Sequence, residues 1–566
     1  MQLKFCYILL LLFTSCGVIQ HHNTAPNLKD YSVIVPQIEV RADTLRTFGK
    51  DYVIRNKHKM WELYASGNPY QLGLSTGALL EPLYHRQDSI FFQKINNFVP
   101  SLAKQKLLRI FLTWFMKELP EHIIEPYRVE LYGVSRYGSS RFDFIAPAYA
   151  RSMYLHATHD LGHALSDLAL VGCSSLAVWG DKTADGKMLL GRNLDFYIGD
   201  DFAQNKVVHF ITPTEGIPFA SVSWAGMIGV LSGMNLSGLT ITINTGKSDL
   251  PFKAKTPISL LCREILQYAS TTEQAIEIAR KRSIFVSESI MISSIEDGKV
   301  VLIEISPKKI DVFQVNPSKQ ALICTNHFQS DTYQNDKNNL QQMQESHSVY
   351  RYKKLEELIK QNKTITPEIM ASILRNTEGL AGENIGYGNE KALNQLLAHH
   401  AVIFKPEDRL MWVSTNPYQL GEFVAYDLQE IFSKNEIVYT SGEKEDLSLP
   451  ADDFLQTQTY EDYQKYRIEE QVLQEAISQK KKISQEQIHA YQKLNPNLWK
   501  VYAKVGEYYY SKGWYRASYL QFQQALSKEI PSTFERKKIE KKQLNIQRKI
   551  HIENDTRDRK KIKFRN

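Results

Sequence analysis

Cysteine is scarce in this sequence, with five residues among 566. Cys6 and Cys16 lie in an apolar N-terminal segment, which leaves Cys173, Cys262 and Cys324 for the folded body. Their number is odd, and no spacing among them fits a disulfide framework or a zinc site. Disulfides therefore do not explain these cysteines. An exported chain that keeps unpaired thiols can be keeping one of them for chemistry.

A strong charge of one sign is also missing. The net charge is +7, and much of the excess lies near the C-terminus, in "ERKKIEKKQLNIQRKI" and "RDRKKIKFRN". No RNA- or DNA-binding motif accompanies this basic tail, so we expect no nucleic-acid partner and favour a solvated helix end. The 43% of hydrophobic residues, with 30 Tyr and 25 Phe, are typical of a globular protein with room for more than one domain.

The N-terminus has the pattern of an export signal rather than of a membrane span. Lys4 gives a positive start, the run "CYILLLLF" is too short to cross a bilayer, and "FTSC" ends at Cys16. This pattern resembles a bacterial lipobox, with Phe13 where Leu is usual. We expect a lipoprotein signal peptide over residues 1–16 and a lipid on Cys16. That lipid would anchor the protein in the bacterial cell envelope, on the periplasmic side or in the outer membrane. The alternative is a plain secretory signal cleaved nearby.

Blocks of strand-like and helix-like sequence alternate in a way that favours an α+β fold. Residues 17–172 begin with a tether and continue with mixed patterns, including "AKQKLLRIFLTWFMKELP", which predicts a packed amphipathic helix. Residues 173–430 alternate short β-rich runs with helix blocks, as expected for a catalytic domain of layered sheets and helices. Residues 431–460 have the acidic, polar composition of a linker.

Residues 461–566 predict a C-terminal helical region that ends in the basic tail. The tetratricopeptide pattern matches at Gly506, Tyr509, Gly513, Phe522 and Ala525. One such unit cannot bury its own face, so we expect "YEDYQKYRIEEQVLQEAISQ" and the tail helix to pack on it. The region is expected to be structural or to offer a docking surface to a protein partner.

The stretch "GCSSLAVWGDKTADGKMLLGRNLDF" opens a strand with Cys173 and ends with an Arg-Asn-x-Asp run. A thiol attacks a carbonyl carbon only as the thiolate, so a base is needed nearby. One source is the row His156, His159 and His163 on the preceding helix, whose spacing could also hold a metal. The Glu of the metalloprotease pattern is missing, and packed or surface histidines are the alternative. The papain-type signature is missing as well.

The α-amine of Cys173 itself is a further source of base. If the bond between Gly172 and Cys173 is cut, Cys173 becomes a chain N-terminus, and an α-amine has an unperturbed pKa of roughly 7.7–8.0. The amine can then accept the thiol proton at neutral pH, so one residue carries both nucleophile and base. This explains why the cysteine opens a strand and follows a small residue.

These residues carry a resemblance to a known family. The run "VGCSSLAVWGDKTADGKMLLGRNLDF" resembles the acyl-coenzyme A:6-aminopenicillanic-acid acyltransferase family of the N-terminal nucleophile (Ntn) hydrolases. Penicillin V acylase, bile salt hydrolase and acid ceramidase are more distant relatives. The resemblance covers roughly residues 60–427 in motif order, and "GNPYQLGLSTGALL" is similar to the family's leading segment. It implies an αββα sandwich that cuts itself before Cys173 and keeps the leading segment as a first subunit.

The resemblance implies catalytic roles for three residues of the opening hairpin. Cys173 matches the nucleophile that autoproteolysis exposes. Asp195 would hold the α-amine, and Arg192 would set the local field. The alternative is that Arg192 and Asp195 only cap a hairpin.

Three further residues are assigned by the same resemblance. Asn244 lies where the family places an oxyanion-hole amide, and Asn326, in "CTNHF", matches the family's second Asn. Arg351 fits the family's Ser-x-x-Arg run, with Ser348 as its companion. As alternatives, the two asparagines could be turn residues at strand ends, and Arg351 could form a salt bridge on a helix.

The implied reaction is hydrolysis of a carbon–nitrogen amide bond in an N-acylated amine or amino acid, through a thioester on Cys173. No metal or organic cofactor is needed. Hydrolysis is favoured over transfer because an envelope compartment offers water and no coenzyme A thioester. Two other classes stay open. One is an acyltransferase that passes the acyl group to another amine. The other is a non-catalytic envelope lipoprotein that acts through its helical repeat, with Cys173 merely buried.

Overall fold

The computed structural model describes residues 22–31, 35–164, 172–249, 251, 253–434, 436 and 438–563, with backbone alone for 159, 161–164 and 553–563. Cys16 and the predicted signal peptide lie outside the described residues. The chain divides into two compact units. The first comprises Met1–Leu340, Asn362–Leu374 and Leu397–Pro450, and the second comprises Gln341–Gln361, Arg375–Leu396 and Ala451–Asn566.

The first unit contains an eleven-stranded sheet. In sheet order its strands are β1 (Ile38–Ala42), β2 (Leu45–Phe48), β3 (Asp51–Arg55), β4 (Trp61–Gly67), β7 (Lys206–Pro213), β8 (Phe219–Trp224), β9 (Ser232–Asn235), β10 (Leu239–Thr245), β11 (Glu288–Ser294), β12 (Lys299–Ile305) and β13 (Ile310–Phe313). Neighbouring strands are antiparallel except for β4 and β7, which pair in parallel. The segment before Cys173 is thereby joined to the sheet through backbone hydrogen bonds.

A second, seven-stranded antiparallel sheet carries the start of the predicted catalytic domain. Its strands, in sheet order, are β14 (Ala321–Cys324), β5 (Ser174–Gly180), β6 (Gly186–Leu194), β15 (His400–Lys405), β16 (Leu410–Ser414), β17 (Phe423–Asp427) and β18 (Glu443–Leu449). Strand β18 falls inside the expected linker 431–460. Glu445 and Asp446 are exposed on this edge strand, while Leu449 is buried, so a charged composition is compatible with pairing here.

The two sheets share one apolar layer. Val208, Phe210 and Leu302 of the larger sheet belong to the same buried cluster as Leu190 and Val402 of the smaller one. Alternation along each strand supplies these inward side chains.

Helices cover the other face of each sheet. Those of the first unit are α1 (Pro69–Phe98), α2 (Leu102–Phe115), α3 (Glu125–Ser135), α4 (Ala148–Ala164), α5 (Asp200–Ala203), α6 (Ile258–Tyr268), α7 (Thr272–Lys281), α10 (Pro367–Leu374) and α11 (Leu428–Ser433). On the larger sheet, α1 and α3 approach closely at Gly73 of α1 and Glu130 of α3. A Cβ on Gly73 would clash with the Glu130 carbonyl oxygen, at 2.0 Å. On the smaller sheet, a Cβ on Gly191 would lie 2.5 Å from Met370 Sδ. The predicted αββα sandwich is confirmed.

The helix predicted from "AKQKLLRIFLTWFMKELP" forms as α2, but it is packed only toward its C-terminal end. Thr113 and Phe115 are buried, whereas several large apolar side chains earlier in the helix are exposed. None of the described helices is long and apolar enough to cross a membrane.

The second unit is helical, as predicted for the C-terminal region. Its helices are α9 (Ser348–Gln361), α12 (Gln458–Ser478), α13 (Gln485–Leu494), α14 (Trp499–Ser511), α15 (Tyr515–Leu526) and α16 (Thr533–Lys563), while α8 (Lys337–Glu345) crosses the boundary between the units. Helices α14 and α15 are joined at Gly513, which has a φ of 76°. They approach at Gly506, where a Cβ would lie 3.1 Å from the Phe522 ring.

Flanking segments complete this second unit. Lys500 of α14 pairs with Glu470 of α12 at 2.9 Å, and Lys542 of α16 pairs with Glu507. The stretches 341–361 and 375–396 lie within the expected catalytic range 173–430 but belong to the second unit. In the second of these stretches, Asn389 Nδ2 donates to the Glu529 carbonyl at 2.9 Å. The helical packing is as predicted, and the tetratricopeptide likeness stays a prediction.

We expect Leu302→Ala to lower the free energy of unfolding of the first unit by about 2–5 kcal/mol, because it leaves a cavity between the sheets. The matched change Leu447→Ala, at a side chain 38% exposed on β18, should change it by less than about 1 kcal/mol. Urea titration followed by circular dichroism measures both. Equal losses in the two variants would contradict the assigned core.

Candidate active site

The pairing of β5 with β6 brings the ends of the opening motif together. Ser174 lies opposite Asn193 and Ser175 opposite Arg192. Cys173, just before β5, is buried, and the Gly172 backbone N–H donates to the Asp195 carbonyl at 3.3 Å. Because the strands are antiparallel, the first residues of β5 meet the last residues of β6.

Arg192 contacts the predicted nucleophile directly. Its Nη2 donates to Cys173 Sγ at 3.6 Å and to the Ile243 carbonyl at 2.5 Å, and its Nη1 donates to Ser232 Oγ at 2.7 Å. Arg192 and Asp195 are both fully buried. Burial lowers the pKa of Arg192, and the charges of Cys173 and Asp195 oppose that shift. The structure therefore brings Cys173, Arg192 and Asp195 together.

The thiol of Cys173 is held in its neutral form in the uncut chain. Burial raises the pKa of Cys173, the Arg192 guanidinium opposes this, and the carboxyl groups of Asp195 and Glu288 add to it. A buried thiolate is unfavourable without a compensating positive charge. Arg192 supplies part of that compensation, and a base is still needed to remove the proton.

Asn244 lies near the end of β10 in the larger sheet, and Asn326 lies two residues after β14 of the smaller sheet. Asn244 Oδ1 accepts from Ser175 Oγ at 2.8 Å, and its Nδ2 donates to the Cys324 carbonyl at 2.9 Å. Asn326 Nδ2 donates to the Thr245 carbonyl at 3.0 Å. Each amide nitrogen carries two hydrogens, so these bonds leave one N–H on Asn244. Asn244 thus touches the strand that Cys173 opens, and the oxyanion roles stay predictions.

Arg351 belongs to the second unit, on α9. It is fully buried, and its Nε donates to His347 Nδ1 at 3.1 Å. Burial and the neighbouring Arg351 charge lower the pKa of His347 well below its usual value. The predicted catalytic role of Arg351 stays a prediction.

His156 is a packed histidine rather than a base for Cys173. Its Nδ1–H donates to the Ser152 carbonyl at 2.8 Å, and its Nε2 accepts from the Ile228 backbone N–H at 3.1 Å. Burial lowers the pKa of His156 to about 4, so it is neutral near pH 7. The side chains of His159 and His163 lie outside the described residues. Where side chains are described, no group of histidine, cysteine and carboxylate residues could hold a metal ion.

A buried hydrogen-bonded chain that the sequence reasoning missed continues from Arg192. Ser232 Oγ contacts His400 Nε2 at 3.0 Å, and His400 Nδ1 contacts His399 Nδ1 at 2.8 Å. Since Arg192 can only donate, Ser232 accepts from it, and the His400 tautomer sets the direction of the Ser232–His400 bond. Burial lowers the pKa of both histidines well below the usual value. The adjacent "HH" at the start of a strand was the only sequence signal for this chain.

A small aromatic cleft lies beside this site in the first unit. Its lining includes Phe196, the residue after Asp195, together with Trp224, Phe202 and Phe91. The Phe196 and Trp224 rings stack with centroids 5.7 Å apart. Asp88 also lines it, and burial raises the pKa of this carboxyl to about 6. The cleft offers an apolar surface with one buried acid.

Comparison with known proteins gives a partial match to one curated relative. A protein of Archaeoglobus fulgidus, named only "Uncharacterized protein", is 28% identical over 112 residues. The match spans 19% of this chain and 19% of that protein, so it covers only a small part of the relative's length.

Two solved structures are similar to parts of this chain. A Caenorhabditis elegans ortholog of N-acylethanolamine-hydrolyzing acid amidase is 18% identical, with 41% of this chain and 93% of that chain covered and a TM-score of 0.31. A mutant of the conjugated bile acid hydrolase of Clostridium perfringens is 15% identical, with 48% and 96% covered and the same TM-score of 0.31. Likenesses at this level carry no functional argument.

A protein-family model gives the informative match. Residues 182–416 match the model described as acyl-coenzyme A:6-aminopenicillanic acid acyl-transferase. This range includes Arg192, Asp195, Asn244 and Asn326, and it begins shortly after Cys173. The resemblance found in the sequence is confirmed by this match: residues 182–416 are similar to the acyl-coenzyme A:6-aminopenicillanic acid acyl-transferase family.

Proposed function

We propose that this protein is a self-processing cysteine amidohydrolase that cleaves the amide bond of an N-acylated amine or amino acid. The observation that carries the proposal is the buried contact from Arg192 Nη2 to Cys173 Sγ at the start of a strand. A merely structural cysteine has no need of a fully buried guanidinium, which is costly to desolvate.

The first reaction is self-cleavage. Cys173 Sγ attacks the carbonyl carbon of Gly172, the peptide C–N bond breaks, and the nitrogen takes the thiol proton to become the α-amine. Water then hydrolyses the resulting thioester, which releases the Gly172 carboxylate and returns the thiol. The leading segment stays bound, because β4 pairs with β7 and α1 packs on the larger sheet.

Substrate hydrolysis uses the same thiol with its new base. The α-amine accepts the thiol proton, and the thiolate, favoured by Arg192, attacks the substrate carbonyl carbon. The oxyanion would be stabilised by the Asn244 amide and a backbone N–H, typically worth about 2.7–4 kcal/mol per donor. The amine leaves with a proton, and water resolves the thioester to a carboxylic acid. Asp195 would hold the α-amine in place.

Acyl transfer is the second candidate, and the family match supports it. Transfer differs from hydrolysis only in the last step, where an acceptor amine replaces water. The aromatic cleft beside Phe196 would seat an apolar acyl group in either case. Lipid attachment at Cys16 and a location in the cell envelope remain proposals that rest on the N-terminal pattern.

Self-cleavage predicts a new N-terminus. The purified wild-type protein should give a fragment that begins Cys-Ser-Ser-Leu, and Cys173→Ala should give an uncut chain. Intact mass and N-terminal sequencing measure this. The matched control is Cys262→Ala, another buried free cysteine, which should still be cut. An uncut chain in both wild type and Cys173→Ala would overturn the self-processing mechanism.

Substrate screening should show cleavage of amides with apolar acyl groups. Phe91→Ala removes one cleft wall contributed by α1, so KM for such a substrate should rise about tenfold with kcat little changed, since binding alone is weakened. Mass spectrometry of the products, with and without an added amine, separates hydrolysis from transfer. An equal KM in Phe91→Ala and wild type would place the acyl group elsewhere.

Ser232→Ala tests the chain behind Arg192. Without the Ser232 acceptor, Arg192 loses its 2.7 Å bond, and its contact with Cys173 weakens. The pKa of the Cys173 thiol should therefore rise, and one unit of rise slows alkylation about tenfold at a fixed pH below it. Iodoacetamide labelling of Cys173 as a function of pH measures this.

The control for this experiment is Ser293→Ala. That hydroxyl is equally buried in the same sheet but bonds to Thr240 Oγ1 at 2.5 Å. Its labelling profile should match that of the wild type. Superimposable profiles for all three proteins would show that Ser232 does not position Arg192.

A further inference from the structure

Helix α2 presents large apolar side chains to solvent. Leu107, Phe111 and Trp114 are 68%, 52% and 44% exposed. Their spacing of four and three residues places them on one helical face. Leu107, Phe111 and Trp114 are here called the α2 patch.

The charges on α2 are of one sign. The helix sequence "LAKQKLLRIFLTWF" contains Lys104, Lys106 and Arg109 and has no acidic residue. All three basic side chains are exposed. An apolar face with tryptophan and phenylalanine, flanked by basic residues, is the composition of helices that lie in the plane of an anionic lipid surface. At 14 residues, α2 is about 21 Å long, which suits such a placement and not a span.

The path of the chain places the predicted lipid close to this patch. His22 is buried, its Nε2–H donates to the Lys117 carbonyl at 2.9 Å, and its Nδ1 accepts from Tyr154 OH at 2.7 Å. Lys117 lies just past the C-terminal end of α2. His22 is six positions from Cys16, and such a length reaches at most about 22 Å. A lipid on Cys16 therefore cannot insert far from the C-terminal end of α2.

We propose that the α2 patch docks on the anionic membrane in which the lipid of Cys16 is inserted. The helix lies parallel to the surface with Leu107, Phe111 and Trp114 in the interfacial layer, and Lys104 and Lys106, on either side of that face, contact lipid phosphates. The docking supplements the lipid anchor and fixes the orientation of the first unit on the membrane. The proposal depends on the lipid anchor for its geometry and is independent of the reaction at Cys173.

The test measures membrane binding without the lipid. The chain from residue 17 onward, which lacks the expected signal peptide and the lipid, is mixed with vesicles of phosphatidylethanolamine and anionic phosphatidylglycerol, and bound protein is separated by flotation. We expect binding that salt weakens. Adding Phe111→Ser should lower the partition coefficient at least about tenfold, because a large apolar group is lost from the bilayer contact.

The matched control is Phe534→Ser, which removes an equally exposed phenylalanine, 59% accessible, from α16 of the second unit. It should leave vesicle binding unchanged. Circular dichroism and the thermal unfolding midpoint check that both variants fold, as expected for exposed sites. Cleavage at Gly172–Cys173, followed by mass, should be the same in both, so a failed membrane test is distinguishable from a failed enzymatic proposal.

Two results would overturn the proposal. One is vesicle binding that is equal in the Phe111→Ser and Phe534→Ser variants, or an absence of vesicle binding by the protein without either change. The other is self-association in the absence of vesicles that Phe111→Ser abolishes, which would assign the α2 patch to a second copy of this chain. Sedimentation equilibrium over a range of protein concentrations detects the latter.

Discussion

The guanidinium of Arg192 is a full charge with no access to water, and the geometry around Cys173 depends on how that charge is compensated. The compensation comes from three strands: Ser232 on β9, the Ile243 carbonyl on β10, and Cys173 ahead of β5. Strands β9 and β10 belong to the larger sheet and β5 to the smaller one. Arg192 therefore links both sheets at the site of the proposed nucleophile, and a buried charge tolerates little displacement of its partners.

The same burial that fixes the site also keeps the thiol unreactive in the uncut chain. Desolvation raises the pKa of Cys173, and only a nearby positive charge and a base can reverse that effect. Self-cleavage would create the base at the nucleophile itself. The chemistry would then be switched on by the event that exposes the α-amine, and the leading segment would keep its place through strand pairing and helix packing.

The two units differ in architecture and in how continuous their chain segments are. The first buries an apolar layer between two sheets and carries the family match, while the second collects three separated stretches into a helical body. Arg351 lies in one of those stretches. The loop between α15 and α16 packs with the stretch 375–396, because Asn389 and Lys391 both contact Glu529. The helical region is therefore more than an appendage that begins after a linker.

Local patterns determined much of this protein. Alternating β-branched runs with Gly and Asp turns predicted the β5–β6 hairpin, and the order of Cys173, Arg192 and Asp195 suggested the family whose model residues 182–416 match, because side-chain periodicity and short motifs depend on nearby residues. Tertiary structure alone decided the parallel pairing of β4 with β7 and the contact of Ser232 with His400, which joins residues 168 positions apart. Tertiary structure also decided that residues 443–449, expected to be part of a linker, pair as an edge strand, and that α2 leaves its apolar face exposed. Such pairings depend on which surfaces the folded chain brings together, and periodicity along the sequence does not specify that choice.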